Sequence, residues 1–118
     1  MDAPPITLTI PGDNDFGRIV RAACANLAER AGWSSLDIGH LRSAVDLVIA
    51  GLCSAGSSSI QLDLRRDDLT LVVGLRGDGG SGVDQATAER LQSLAPNSID
   101  RLEASGDRRT FTITKSHR

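Results

Sequence analysis

The sequence is poor in aromatic residues and has no excess of positive charge. Its 118 residues include two Phe, one Trp and no Tyr, and the formal net charge is −2. A protein that binds nucleic acid needs a clustered basic surface for the phosphates, and single-strand binding also needs aromatic rings for base stacking. The composition therefore argues against direct contact with DNA or RNA.

Cysteines and long apolar segments are also scarce. Cys24 and Cys53 lie among apolar residues of predicted helices at a spacing that matches no zinc motif, so we interpret them as small buried side chains in a reducing compartment. No apolar run reaches the roughly 18 residues that a transmembrane helix needs, and segment 1–5 lacks the features of a signal peptide. We therefore expect a cytoplasmic protein without a metal site or membrane contact.

The first half of the chain has the periodicity of one strand and two helices. Segment 6–10 alternates apolar and polar residues and is stopped by Pro11-Gly12. Helical stripes follow over about 15–31 and 36–52, the second with Asp37 as its N-cap. The predicted core face of the first helix consists of Ile19, Val20, Ala23, Cys24, Leu27 and Ala31.

The second half predicts two hairpins with a helix between them. The predicted elements are strands at 60–64 and 69–75 joined by a polar turn at 65–68, a helix from Val83 to Leu94, and strands at 99–104 and 110–114. Pro96-Asn97 ends the helix, and Phe111 and Ile113 face inward. The whole chain is expected to form one domain.

The element order is β-α-α-β-β-α-β-β, and it defines the fold class. Strands that alternate apolar and polar residues need one covered face and one solvated face, while each helix has one apolar stripe to bury. These requirements are met when the helices cover one side of the sheet. We predict an α+β two-layer sandwich with a mixed or antiparallel sheet and three helices on one face.

The helix that carries Asp46 is followed by two strands that run into Arg76-Gly77-Asp78-Gly79-Gly80-Ser81-Gly82. This order, together with a strand ending in Pro11-Gly12 before an Arg-bearing helix and the stretch Ala44-Val45-Asp46, resembles the anti-sigma-factor serine kinases. That family belongs to the Bergerat, or histidine-kinase-type, ATPase superfamily. The resemblance covers nearly the whole chain and implies the sandwich fold of that superfamily over residues 1–118.

The resemblance also assigns roles on the second helix. In the family, a Glu there activates the attacking group, an Asn four residues later coordinates Mg²⁺, and a His commonly follows four residues further on. The matching residues are Asp46, Ala50 and Ser54, which share one helix face. Asp46 is the candidate catalytic residue, with its carboxylate withdrawn by about 1.5 Å. Ala50 offers no oxygen to Mg²⁺, which requires near-octahedral oxygen ligation, so the kinase step is expected to be lost.

The family's adenine motif, Asp-x-Gly-x-Gly after a strand, has a literal match in this chain. It gives Asp78, Gly80 and Gly82, together with Gly77, as the candidate ATP site. The strand alternation instead places Gly77 on the inward face, and a bulge would be needed to bring Asp78 there. Both alternatives stay open. Val83 then begins the next helix directly, which leaves no segment for the lid that family members fold over the phosphates.

Arg18 follows Phe16-Gly17 at the start of the first helix. Family members present an Arg at this position to the sigma factor and to its STAS-type antagonist. We therefore take Arg18 and the neighbouring Arg21 as candidate partner contacts, since Arg is enriched at interface hot spots. The alternative is that these arginines are ordinary solvated surface.

The resemblance implies an anti-sigma-factor-like transcription regulator that works by protein–protein binding, or partner switching. Its partners would be a sigma factor, a STAS-type anti-anti-sigma protein or both, and its cofactors, ATP and Mg²⁺, would bind weakly at best in a degenerate site. The alternative is an active ATP-dependent serine protein kinase that phosphorylates the STAS-type protein. A third hypothesis is a purely architectural domain. The oligomeric state is left open, with a homodimer among the options.

Overall fold

The computed structural model describes residues 5–67, 70–93 and 99–116. Within these ranges the chain forms five strands, three α-helices and one short 3₁₀ helix. The elements are β1 (Ile6–Pro11), the 3₁₀ helix (Asn14–Phe16), α1 (Gly17–Arg30), α2 (Ser35–Ser54), β2 (Ser59–Asp67), β3 (Thr70–Asp78), α3 (Gln85–Gln92), β4 (Arg101–Ala104) and β5 (Thr110–Ser116).

The strands form one sheet in the order β1-β2-β3-β5-β4, and every pair of neighbours is antiparallel. Alternate residues of the central strands are buried on the face that the helices cover. This inner face is formed by Ile60, Leu62, Leu64, Leu71, Val73, Leu75, Phe111 and Ile113. The predicted α+β sandwich is confirmed, and the sheet is antiparallel.

Helix α1 buries a different stripe from the predicted one. Val20, Cys24 and Ala28 are fully buried, whereas Ile19 is 45% exposed. The assignment of Ile19 to the core was therefore wrong. One residue rotates a helix by about 100°, so a stripe at positions 20, 24 and 28 turns position 19 toward solvent.

Helix α2 begins earlier than predicted, and Asp37 is not its N-cap. Ser34 holds that position, and its Oγ accepts a hydrogen bond from Asp37 N–H at 3.2 Å. Asp37 instead lies in the first turn, where its carboxylate pairs with the buried ammonium group of Lys115 at 3.5 Å. A serine three residues before an acid satisfies the first turn better than the acid alone.

The end of β2 and the start of α3 also differ from the prediction. β2 continues through Arg65 and Arg66 to Asp67, so the turn expected at 65–68 was placed too early. α3 begins at Gln85, two residues after the predicted start at Val83, and Asp84 caps it by accepting from Thr87 N–H at 2.7 Å. The expected helix end at Leu94 and Pro96-Asn97 lies outside the described residues.

Candidate functional site

A cavity of about 360 Å³ lies between the C-terminal half of α2, the loop after β3 and helix α3. Its walls combine small residues of α2 with polar groups from the loop and from α3. The lining residues are Leu47, Ala50, Gly51, Ser54, Ala55, Ser81, Gly82, Asp84, Thr87 and Arg90. Of the candidate ATP-site residues, only Gly82 lines this cavity.

Small side chains on α2 make room for the neighbouring elements. A Cβ at Gly51 would lie 3.2 Å from both methyl groups of Val83, which is buried beneath the loop. Ala50, at the expected position of the Mg²⁺ ligand, is exposed and lines the cavity with Ser54. This wall offers one hydroxyl, from Ser54, and no carboxamide or carboxylate.

Asp46 is one helical turn before Ala50, but it is not among the residues that line the cavity. Its Oδ1 accepts a hydrogen bond from Arg21 Nη1 of α1 at 3.0 Å, with the two side chains 46% and 33% exposed. The structure therefore brings the candidate catalytic acid together with a candidate partner contact. This pairing joins α1 to α2.

The register at the end of β3 determines whether Gly77 or Asp78 faces the helices. The β2–β3 register is unbroken up to the pair Ser59–Asp78, with no bulge. Gly77 is therefore buried on the inner face, and Asp78 lies on the open face of the sheet. There its carboxylate is 3.6 Å from Arg76 Nε and accepts a hydrogen bond from Ser59 Oγ at 3.4 Å.

The space above Gly77 is filled by the chain itself. A Cβ at Gly77 would overlap the hydroxyl group of Ser57 and would lie 2.8 Å from Leu52 Cδ2. Ser57 is 5% exposed, and its Oγ has no hydrogen-bond partner among the described residues. No side chain longer than glycine fits at this inward position without rearrangement.

The glycine loop packs closely on the turn that follows α2. Ser81 N–H donates to the carbonyl oxygen of Ala55 at 2.9 Å, and a Cβ at Gly80 would overlap that same carbonyl group. Gly80 also has a φ of +66°, which favours glycine. The loop and the turn are therefore in direct backbone contact along this side of the cavity.

The β4–β5 turn forms hydrogen bonds with the other end of the glycine loop. Val83 N–H donates to Arg108 O at 2.9 Å, and Arg108 Nε donates back to Val83 O at 2.6 Å. Arg108 has a φ of +56°, uncommon for a residue other than glycine. A Cβ at Gly82 would overlap the carbonyl oxygen of Asp107, which explains why the loop has glycine there.

Sequence reasoning missed several residues of this site. Ser81, Asp84, Thr87 and Arg90 come to the cavity only because the loop and α3 fold against α2. Asp84 alone had a local signal, since an Asp directly before a helical segment is a common N-cap. The hydrogen bond from the Thr87 amide lowers the pKa of Asp84, which keeps this cap ionised.

Arg18 lies on the exposed surface of α1 and forms no ion pair with any described residue. Two large apolar side chains flank Arg18 in the sequence. Phe16 is 40% exposed and Ile19 is 45% exposed. Arginine flanked by exposed apolar residues is typical of protein contact surfaces. Arg21, the second candidate, instead directs its guanidinium group to Asp46.

Within the described ranges no three His, Cys, Asp or Glu side chains are grouped so that they could hold a metal ion. Burial raises the pKa of the Cys24 thiol to about 12. None of the described helices has the length and apolar character to cross a membrane.

Comparison with known proteins gives a structural match only. No protein-family model matches the sequence, and no curated protein matches it either. Among solved structures, the fold is similar to that of the RsbU and RsbW domains of Rv1364c from Mycobacterium tuberculosis, with a TM-score of 0.67 and 16% identity. The match covers 98% of this chain and 32% of that one, so this chain spans about a third of its length. At this identity the match shows a shared fold.

Proposed function

We propose that this chain is an anti-sigma-factor-like regulator that works in the cytoplasm by protein–protein binding. Its partners are a sigma factor, a STAS-type anti-anti-sigma protein or both, which exchange on one surface. The similarity of its fold to a structure containing an RsbW domain supports the general class. The preference for binding over catalysis rests on the residues around the cavity.

The observation that carries this preference is the filled space above Gly77. An adenine acceptor must project from β3 toward the helices, yet the inward residue is glycine and Ser57 packs directly over it. Asp78, the alternative acceptor, has its carboxylate on the opposite face, beside Arg76. Neither residue offers an acceptor inside the sandwich. This arrangement supports a degenerate nucleotide site.

The magnesium side of the site supports the same conclusion. Ala50 has no ligand atom, and the carboxylate of Asp46 is engaged by Arg21 at 3.0 Å. The Arg21 guanidinium group therefore occupies one of the two oxygens of this carboxylate. We therefore propose that Asp46 anchors α1 through Arg21 and does not act in proton transfer. We also propose that Mg-ATP binds weakly at best.

The proposed contact surface is the start of α1. Arg18 extends from it without an ion-pair partner in the described structure, and Phe16 and Ile19 add apolar area that the core does not use. Arg21 contributes by fixing α1 against α2 through Asp46. A partner that covers Phe16, Arg18 and Ile19 would gain both apolar burial and a charged contact.

Two measurements test the proposal. Isothermal titration of the purified chain with Mg-ATP should show no saturable heat in the micromolar range. Binding tighter than about 10 μM, or about −7 kcal/mol, would contradict the degenerate site. Transfer of phosphate to a STAS-type protein of the same organism would overturn the proposal in favour of the kinase.

The second measurement compares Arg18→Ala with Arg42→Ala, since Arg42 is also exposed and lies on α2. Each variant is tested for co-purification with the sigma factors and STAS-type proteins of the same organism. Arg18→Ala should weaken binding by about 2 kcal/mol or more, while both variants change folding stability by less than about 0.5 kcal/mol. Equal binding by the two variants would remove Arg18 from the contact surface.

A further inference from the structure

The cavity between α2 and α3 is lined by two side chains of opposite charge. One is Asp84, the N-cap of α3, and the other is Arg90, in the last turn of that helix. A helix rises about 1.5 Å per residue, so the Cα atoms of these residues lie about 9 Å apart along α3. Thr87 lines the same wall between them. The cavity is therefore acidic near the start of α3 and basic near its end.

Neither charge is neutralised by an ion pair. In the part of the chain that the structure describes, Asp84 and Arg90 have no ion-pair partner, and segment 94–98 after α3 contains no acidic residue. The hydrogen bond from the Thr87 amide lowers the pKa of Asp84, and the positive charges of Arg108 and Arg90 lower it further. Asp84 is therefore ionised at neutral pH. Both side chains are exposed, so a ligand in the cavity can reach them.

The C-terminal end of α2 adds to the acidic part of the cavity. Ser54, the last residue of α2, lines the cavity together with Ser81. The loop that carries Asp84 is bonded to this end of the helix, since Ser81 N–H donates to Ala55 O at 2.9 Å. The C-terminus of a helix carries a partial negative charge and favours cations. Asp84 and the end of α2 therefore favour an ammonium group and disfavour the phosphates of a nucleotide.

Arg90 offers the complementary contact in the basic part of the cavity. A guanidinium group binds a carboxylate through two parallel hydrogen bonds, which are stronger than bonds between neutral groups. Side chains on a helix lean toward its N-terminus, so the guanidinium group lies closer to Asp84 than the Cα spacing of about 9 Å suggests. Leu47 and Ala50 of α2 add apolar surface to the same cavity. The cavity thus combines two opposite charges, a short distance apart, with an apolar wall.

We propose that this cavity binds a small aliphatic zwitterion, an amino acid whose ammonium group contacts Asp84 and whose carboxylate contacts Arg90. 4-Aminobutyrate represents this class, because carbon–carbon bonds of about 1.5 Å place its two charges about 5 Å apart. Its aliphatic chain lies against Leu47 and Ala50 in this arrangement. The inference goes beyond the proposed function and does not depend on it, since exchange of protein partners on α1 requires no ligand in this cavity.

Heteronuclear NMR titration of the whole chain tests the site. Addition of 4-aminobutyrate at low ionic strength should shift the amide signals of Ser81 and Thr87 in a saturable way. The dissociation constant should be on the order of 1 mM, because the ligand has few atoms. Butyrate and butylamine each lack one of the two charges. Each should bind about 5-fold more weakly than 4-aminobutyrate, as expected for the loss of one exposed ion pair.

Two variants identify which side chain contacts which charge of the ligand. Arg90→Gln should bind 4-aminobutyrate no better than butylamine, and Asp84→Asn should bind it no better than butyrate. Asparagine also caps helices, so the second variant should keep α3 folded. Arg42→Gln changes an exposed arginine outside the cavity and should bind like wild type. The proposal is overturned if 4-aminobutyrate gives no saturable shift in the wild-type chain, or if either cavity variant keeps the wild-type preference for it over that analogue.

Discussion

The two ends of helix α2 differ in burial and in charge pairing. At its N-terminal end, Ser34 caps the helix and the carboxylate of Asp37 pairs with Lys115, and these two ion-pair side chains are 13% and 5% exposed. At its C-terminal end, Ala50 and Ser54 face a cavity of about 360 Å³. One end is closed by packing and charge, and the other is left open. From this comparison we expect the largest losses of stability when contacts at the first end are removed.

The largest effect should follow from breaking the closed end. Lys115→Met leaves the Asp37 carboxylate buried without its ammonium partner, and loss of one member of a buried ion pair costs about 3 kcal/mol or more. Urea denaturation measures this loss. The double variant Lys115→Met with Asp37→Leu should recover much of it, because no unpaired charge remains. A single variant as stable as wild type would show that the pair does not hold this end.

The next effect concerns the loop beside the cavity. Gly80→Ala should destabilise the chain by about 2 kcal/mol, since the added Cβ overlaps the Ala55 carbonyl and the φ is +66°. Gly32→Ala is the control, because Gly32 has a φ of +81° with no atom within 4 Å of an added Cβ. The difference between the two thermal unfolding curves isolates the loop contact. Equal losses would mean that only backbone strain matters at Gly80.

A smaller effect is expected at the open side of α2. Asp46→Asn removes the ion pair with Arg21, and pairs this exposed contribute about 1 kcal/mol or less. Chemical denaturation of Asp46→Asn, Arg21→Gln and the double variant gives the coupling energy. A coupling energy well above about 1 kcal/mol would contradict this prediction, because the Arg21–Asp46 pair would then stabilise the fold as strongly as a buried ion pair does.

The smallest effect is a pH dependence at the cavity rim. The hydrogen bond from the Thr87 amide lowers the pKa of Asp84 in the folded chain. A group with a depressed folded pKa stabilises the protein above its unfolded pKa, near 4, and loses that contribution as pH falls through the folded value. The stability difference between wild type and Asp84→Asn, followed by thermal unfolding, should therefore shrink on acidification below about pH 4. A difference that does not change with pH would contradict this role.

Local patterns predicted the elements that depend on neighbouring residues in the sequence. The alternation along β3 placed Gly77 on the helix side, and the structure has this register; Phe111 and Ile113 are buried as expected. Ile19 was misassigned because several apolar residues follow one another in α1. Only packing against α2 selects which of them is buried.

The candidate site was less accessible to sequence reasoning because its contacts join distant segments. Arg21 and Asp46 are 25 residues apart, and their contact depends on how α1 rotates against α2. Arg108 and Val83 are also 25 residues apart, and they meet through a turn with an unusual φ. No periodicity encodes such contacts. The packing of Ser57 over Gly77 is also such a contact, and it is evident only in the structure.

The loop beside the cavity is attached on both sides, and this has a consequence for its dynamics. Ser81 N–H is bonded to Ala55, and Val83 N–H is bonded to Arg108. These two amides can exchange with solvent deuterium only when the loop detaches, whereas unbonded amides in the same loop exchange directly. Slow exchange at Ser81 and Val83 would show that the loop beside the cavity is rigid. A molecule that binds in the cavity must then fit the existing shape of this loop.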